Sequence, residues 1–340
     1  MPLEALRYEV TPVGLHYLLI HYDIPAVDAD TWRVRVDGAV ARPLELSLTD
    51  LHAMPSVTHA VTMECAGNGR ALLSPRPASQ PWIVEAVGTG EWTGTPLAAV
   101  LERAGIGSDA VEVLFTGADR GFEAGVEQSY QRSLPVIDAL DGDAFLAYAL
   151  NGDPLPPQHG FPLRLVVPGW YGMTNVKWVA SITALTAPFD GYQQARAYRM
   201  RYDDDDAGTP VTRMVPRSLM IPPGIPDFFT RTRTVVEGDC ELSGRAWSGH
   251  GPVVRVDVSS DGGATWQPAT VDPPRAPYAW QGWRAIWRAR PGDYELCCRA
   301  ADAAGNEQPL SSAWNAGGYT NNEVHRVAVT VVSGATSDHC

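Results

Sequence analysis

The stretch Val61-Thr62-Met63-Glu64-Cys65-Ala66-Gly67-Asn68-Gly69-Arg70 carries the most unusual local chemistry in the chain. A short β-branched run leads into a cysteine, then a glycine-rich turn, then an arginine. Such a turn can expose the sulfur and bring backbone N–H groups near it, while the Arg70 charge favours thiolate over thiol. That pattern makes a reactive or metal-binding cysteine; a cysteine without those flanks more commonly packs as a small hydrophobe. A second cluster lies downstream. His159, Arg164 and Lys177 put three cationic or N–H donors into about 20 residues bounded by apolar runs, a spacing suited to holding an anion.

These groups need a scaffold, and the sequence indicates two. From Thr31 to about Thr186 the pattern is mixed. Trp32 to Val36 alternates as a strand before Asp37-Gly38. Leu97, Val100, Leu101 and Ala104 share one helical face, with Gly105 as a stop. Val111 to Phe115 and Leu163 to Val167 are short, apolar and β-branched, as buried strands are. The segment from Tyr202 to Pro226 changes character, with Asp203 to Asp206 and five prolines, and reads as a solvated crossing. Beyond it, Val254/Val256/Val258, Trp283/Ala285/Trp287, Tyr294/Leu296/Cys298 and Val327/Val329/Val331 alternate, which argues an antiparallel two-sheet sandwich. The expected layout is an α+β domain over residues 1–205, a linker over 206–237 and an all-β immunoglobulin-like sandwich over 238–340.

The 340 residues suffice for two cores, and 45% hydrophobic with 19% charged residues describes a folded globular chain. A net charge of −13 opposes binding to nucleic acid or an anionic membrane. No apolar run approaches the roughly 20 residues of a membrane span, and the opening MPLEALRYEVTPVG lacks the features of an export signal, so a cytoplasmic protein is expected. Five cysteines without CxxC or His-paired spacing fit a reducing compartment.

CAGNGR resembles the cysteine motif of the sulfite oxidase family of molybdenum enzymes, whose usual form is CAGNRR. Further segments follow in the family's order: Asn151 to Leu155, His159 to Arg164, Val167-Pro168-Gly169 and Val176-Lys177-Trp178, then Ala246 to Gly249, Val254 to Ser259, Asp261-Gly262-Gly263 and Trp314-Asn315. The resemblance implies a molybdenum cofactor (Mo-molybdopterin) whose protein thiolate is Cys65, with His21, Asp119, Ser133, His159, Arg164 and Lys177 as cofactor contacts. It implies that Tyr198 presents its hydroxyl to the metal's oxygen, that Arg70 binds the substrate anion, and that Trp82 lines the pocket. Cys240, Cys297 and Cys298 match nothing and are expected to be structural, Cys340 an exposed thiol.

The implied activity is oxidation of a small sulfur-containing or oxyanion substrate by oxygen-atom transfer, with electrons passed to a separate acceptor such as a cytochrome. Sulfane dehydrogenase-like and nitrate reductase-like chemistry are alternatives within the family, and an inactive scaffold or assembly protein is the alternative outside catalysis. Two departures bear on substrate: Leu19 and Gly317 stand where the family has arginines. Each missing charge-assisted contact costs about 1.5–3 kcal/mol of anion binding. Pairing of the sandwich into a homodimer is also expected, argued from Trp247, Trp266, Trp283 and Trp287.

Overall fold

Alternation and helical spacing place the elements where the chain needs them, as seen in a computed structural model describing residues 1–140, 143–203 and 205–334. Asp204 and Cys340, both singled out above, lie outside the described residues.

The amino-terminal half is built on two large sheets, and Arg199–Met200 pairs with Thr209–Pro210 in a small third one at its end. One runs, edge to edge, Leu44–Leu46, Val34–Gly38, Val179–Leu185, Glu112–Glu123 and Val126–Pro135. Its inner pair, Val34–Gly38 with Val179–Leu185, is parallel; the other pairs are antiparallel. The other sheet joins Val57–Glu64, Val87–Pro96 and Phe145–Leu150, the last also pairing with Asp153–Pro154 and Arg164–Val166. The helix Leu97–Ala104 has the expected bounds: Leu97, Val100, Leu101 and Ala104 on its expected face are buried, and Gly105 takes a left-handed conformation behind them. This half is α+β, as expected.

The carboxy-terminal half is a sandwich of a four-stranded sheet (Arg217–Ile221, Gly238–Trp247, Gln281–Ala289, Thr270–Val271) and a six-stranded sheet (Ile225–Pro226, Arg233–Val236, His325–Val332, Gly292–Asp302, Val253–Ser259, Gln267–Pro268). The stretch read as a linker over 206–237 therefore contains strands of both sheets. Arg217–Ile221 is buried and pairs along its length with Gly238–Trp247. Its prolines flank short apolar runs and mark strand ends, where a missing N–H costs no ladder bond.

Trp247 and Trp283 also depart from expectation. Both are about 2% exposed and packed within this chain, so they are not free to form a contact between copies. Trp247 belongs to a core that joins the two halves, together with Leu6, Ala66, Tyr171, Met173, Tyr198 and Leu219. Among the described residues, no helix is long and apolar enough to cross a membrane.

Candidate active site

The strand Val57–Glu64 ends at the inter-domain core, and Cys65 is the first residue past it. Cys65 N–H donates to the Ala86 carbonyl at 2.9 Å, and Asn68 N–H closes the turn on the Cys65 carbonyl at 2.9 Å. Gly69 then adopts φ +93°, and a Cβ there would stand 2.7 Å from the Asn321 carbonyl oxygen, so only glycine passes this close to the sandwich.

Glu64 anchors the turn from below. Its carboxylate accepts from Arg217 Nη1 at 2.8 Å, Asn68 Nδ2 at 2.9 Å and Trp247 Nε1 at 2.9 Å. Arg217 Nη1 also reaches the Asn321 carbonyl at 2.8 Å. Arg217 and Trp247 come from the sandwich, so the second domain holds the strand that carries the cysteine.

Two cavities meet at Cys65. The first, about 590 Å³ of empty space, is lined by Cys65, His21, Asp119, His159, Arg164, Lys177 and Tyr198 among others. Seven of the ten residues singled out in the sequence thus converge on one wall. The second, about 850 Å³ of empty space, shares Cys65, His21 and Tyr198 and adds Arg70. Trp82 and Ser133 lie on neither wall. The Trp82 indole N–H is buried without a hydrogen-bond partner among the described residues, and Ser133 is buried with an unpartnered hydroxyl.

The first cavity is lined with cationic donors. Arg164 is buried over the Trp92 ring at 5.0 Å, and its Nε has no hydrogen-bond partner. Lys177 Nζ donates to the Leu19 carbonyl at 2.7 Å. Burial, with Arg164 adding to it, lowers Lys177 to about 7. Burial, then Arg164, lowers His159 to about 3. Asp119 is the acidic residue on this wall, and burial raises it to about 6 against the opposing pull of Lys177. Gly160 at φ +109° permits this crowding, since a Cβ there would meet the Lys177 and Arg164 Cβ atoms at 3.1 and 3.2 Å.

Buried cations with unspent donors require an anion, and a phosphorylated cofactor carrying sulfur ligands fits both the donor set and the adjacent cysteine. His16 also lines this cavity, with Nε2 buried and unpartnered. The sequence signal for it was slight: a single histidine in the apolar segment Gly14-Leu15-His16-Tyr17.

Tyr198 sits at the junction of the cavities in a left-handed conformation at φ +48°, costly for a non-glycine residue. Its hydroxyl is 2.5 Å from His21 Nε2, and the Arg132 guanidinium carbon lies 5.7 Å from its ring centre. Burial pushes Tyr198 well up, while burial, then Lys177 and Arg132, pushes His21 down to about 4. At neutral pH both are uncharged. Cys65 itself is raised to about 11, because burial outweighs the pull of the Gly67 N–H and of Arg70. The thiolate expected from Arg70 alone is therefore not the resting form of the chain by itself.

Residues 21–193 match a family model described as an oxidoreductase molybdopterin binding domain, and residues 217–332 match a Mo-co oxidoreductase dimerisation domain. Sulfite oxidase from Gallus gallus is 36% identical over 347 residues, covering 96% of this chain and 74% of the relative. Mitochondrial sulfite oxidase from Homo sapiens is 36% identical over 341 residues, but this chain spans 62% of its length. Among solved structures, the sulfane dehydrogenase SoxCD from Paracoccus pantotrophus superimposes with a TM-score of 0.84 at 28% identity, over 98% of this chain and 86% of the other.

Proposed function

Because the chain belongs to the sulfite oxidase family of molybdopterin oxidoreductases, we propose that it oxidises a small sulfur-containing or oxyanion substrate and passes the electrons to a separate acceptor such as a cytochrome. The observation that carries this reading is the cluster of Arg164, with its Nε buried and unpartnered, Lys177 and the neutral His159 on the same cavity wall as Cys65. When bound, the molybdenum cofactor supplies two-electron oxidation coupled to oxygen-atom transfer.

The chain's own residues have distinct tasks. Cys65 provides the protein thiolate for the metal. Arg164 and Lys177 neutralise the pterin phosphate, His159 offers it an N–H, and His21 and Asp119 add polar contacts around it, whereas Ser133 lies off the cavity wall. Tyr198 and His21, both neutral and 2.5 Å apart, hold a proton that the pair can exchange without a buried charge at rest. Arg70 offers the substrate its cation.

The missing arginines argue against tight binding of sulfite. Leu19 and Gly317 each contribute a carbonyl to a neighbouring cation: Leu19 to Lys177, and Gly317 to Arg70 Nε at 2.8 Å. A sulfane dehydrogenase-like substrate is the alternative within the family, and the superposition on SoxCD is consistent with it. The sandwich is proposed to pair two chains, and the free state of the described cysteines suits a cytoplasmic enzyme.

Metal analysis of purified protein, followed by a substrate screen with an artificial electron acceptor, tests the reading. About one molybdenum per chain is expected. Protein that takes up no molybdenum when expressed with cofactor synthesis would identify a scaffold in place of an enzyme.

A further inference from the structure

The second cavity beside Cys65 carries a fixed negative charge as well as Arg70. Glu123 ends the strand Glu112–Glu123 and lines the wall that also includes Arg70, Gln193 and Tyr22. Its Oε2 accepts from the Tyr22 hydroxyl at 3.0 Å and from the Gln193 amide. Those two contacts hold the carboxylate in place. Oε1 takes no hydrogen bond among the described residues, and Glu123 has no ion pair among them. Arg70 is also held, by the Gly317 carbonyl at 2.8 Å and the Gln80 carbonyl at 3.1 Å, which leaves Nη2 to spare.

A small dianion needs concentrated positive charge and meets here one cation and one carboxylate, both preorganised. The cavity is also far larger than a four-atom anion requires, and apolar residues, Leu19, Ile20 and Phe122, complete its mouth. We propose that Glu123 is a specificity-determining residue. It excludes small dianions and selects a singly charged sulfur oxyanion on a short chain bearing an ammonium group, with the oxyanion on Arg70 and the ammonium on Glu123 Oε1.

This inference rests on reading the cavity as the substrate site. Its test therefore uses equilibrium binding, which does not depend on turnover, with molybdenum content measured separately on the same preparation. Hypotaurine (2-aminoethanesulfinate) and ethanesulfinate share the same reacting end and differ in the amine. Titration calorimetry on the native protein should give hypotaurine a Kd at least tenfold below that of ethanesulfinate. In Glu123→Gln, where the amide can still accept from Tyr22, the two should bind within about twofold, and sulfite should bind about tenfold more tightly than to the native protein. Equal binding of the two sulfinates by the native protein, no binding of either, or a preference that survives in Glu123→Gln would each overturn the proposal. Protein that takes up no molybdenum when expressed with cofactor synthesis, yet still shows the preference, would overturn the redox reading and leave the assignment of Glu123 standing.

Discussion

Arg217→Met removes the cation from the buried carboxylate that anchors the Cys65 turn. Both side chains of the Arg217–Glu64 pair are 2% exposed at a contact of 2.8 Å. Breaking such a pair by deleting one partner costs about 3–5 kcal/mol, because the remaining charge is left buried. Glu64 keeps the Trp247 and Asn68 donors, each at 2.9 Å, which places the expected loss towards the lower figure. At about 2.1 cal/mol/K per residue, unfolding 340 residues carries roughly 0.7 kcal/mol/K of entropy, so the loss corresponds to a Tm lower by about 4–7 °C if the chain melts as one unit. Differential scanning calorimetry on the cofactor-free protein reads this directly. Adding Glu64→Gln removes the orphaned charge and should restore a good part of the loss, a non-additivity expected only for directly coupled partners. Molybdenum content should fall in Arg217→Met, since Cys65 follows Glu64 in the chain. A Tm within 1 °C of the native protein, or additive effects in the double variant, would show that the pair does not anchor the turn.

Cys65→Ser should keep the fold and lose turnover by at least a hundredfold, measured with an artificial acceptor; undiminished activity would remove Cys65 from the metal. Arg164→Ala should lower bound pterin several-fold, read by fluorescence of its oxidised form, before circular dichroism changes. Leu19→Arg should lower the KM for sulfite about tenfold, the return of one charge-assisted contact, and an unchanged KM would mean the new guanidinium does not reach the cavity. The cofactor-free protein should lose stability as pH falls below 6.5. Burial holds His16 and His21 near 4 and His159 and His325 near 3, so the unfolded state binds more protons from about pH 6.5 downward. Each costs about 1.4 kcal/mol by pH 5.5, opposed in part by Asp119, whose raised pKa gives the opposite sign. A urea midpoint that stays flat from pH 7 to 5.5 would contradict neutral burial of these histidines.

Local signals were legible and long-range ones were not. The helix Leu97–Ala104 was readable to the residue because its apolar face and glycine stop are both local. The mixed first half and the alternating strands of the sandwich were readable for the same reason. Arg217–Ile221 was missed because the prolines around it speak more loudly than its three apolar residues, Leu219, Met220 and Ile221, and its strand partner is distant in sequence. Likewise, the cysteine turn was visible as a motif. Its anchor was not, since nothing in Val61 to Arg70 announces that Glu64 will meet an arginine 153 residues away. Arg132 and Glu123 went unremarked because neither has a local partner to mark it; each gains its meaning only where strands bring it beside Tyr198 or Arg70.

The two cavities divide the site's electrostatics. The first gathers Arg164 and Lys177 against Asp119 and neutral histidines, an excess of positive charge that an anionic group must offset. The second opposes Arg70 with Glu123 and draws no charge from positions 19 and 317, where main-chain carbonyls instead hold Lys177 and Arg70 in place. Arg132 does not fill the gap. It lies against the ring of Tyr198, outside both cavity walls, with Nη1 donating to the Gln193 carbonyl. Binding energy in the first cavity can therefore come from charge, whereas in the second it must come from shape, hydrogen bonds and the matched pair of Arg70 and Glu123. On the proposal made for Glu123, the substrate differs from sulfite in what it carries beyond its reacting sulfur, and the chain keeps the family's cofactor site while changing what that site is offered.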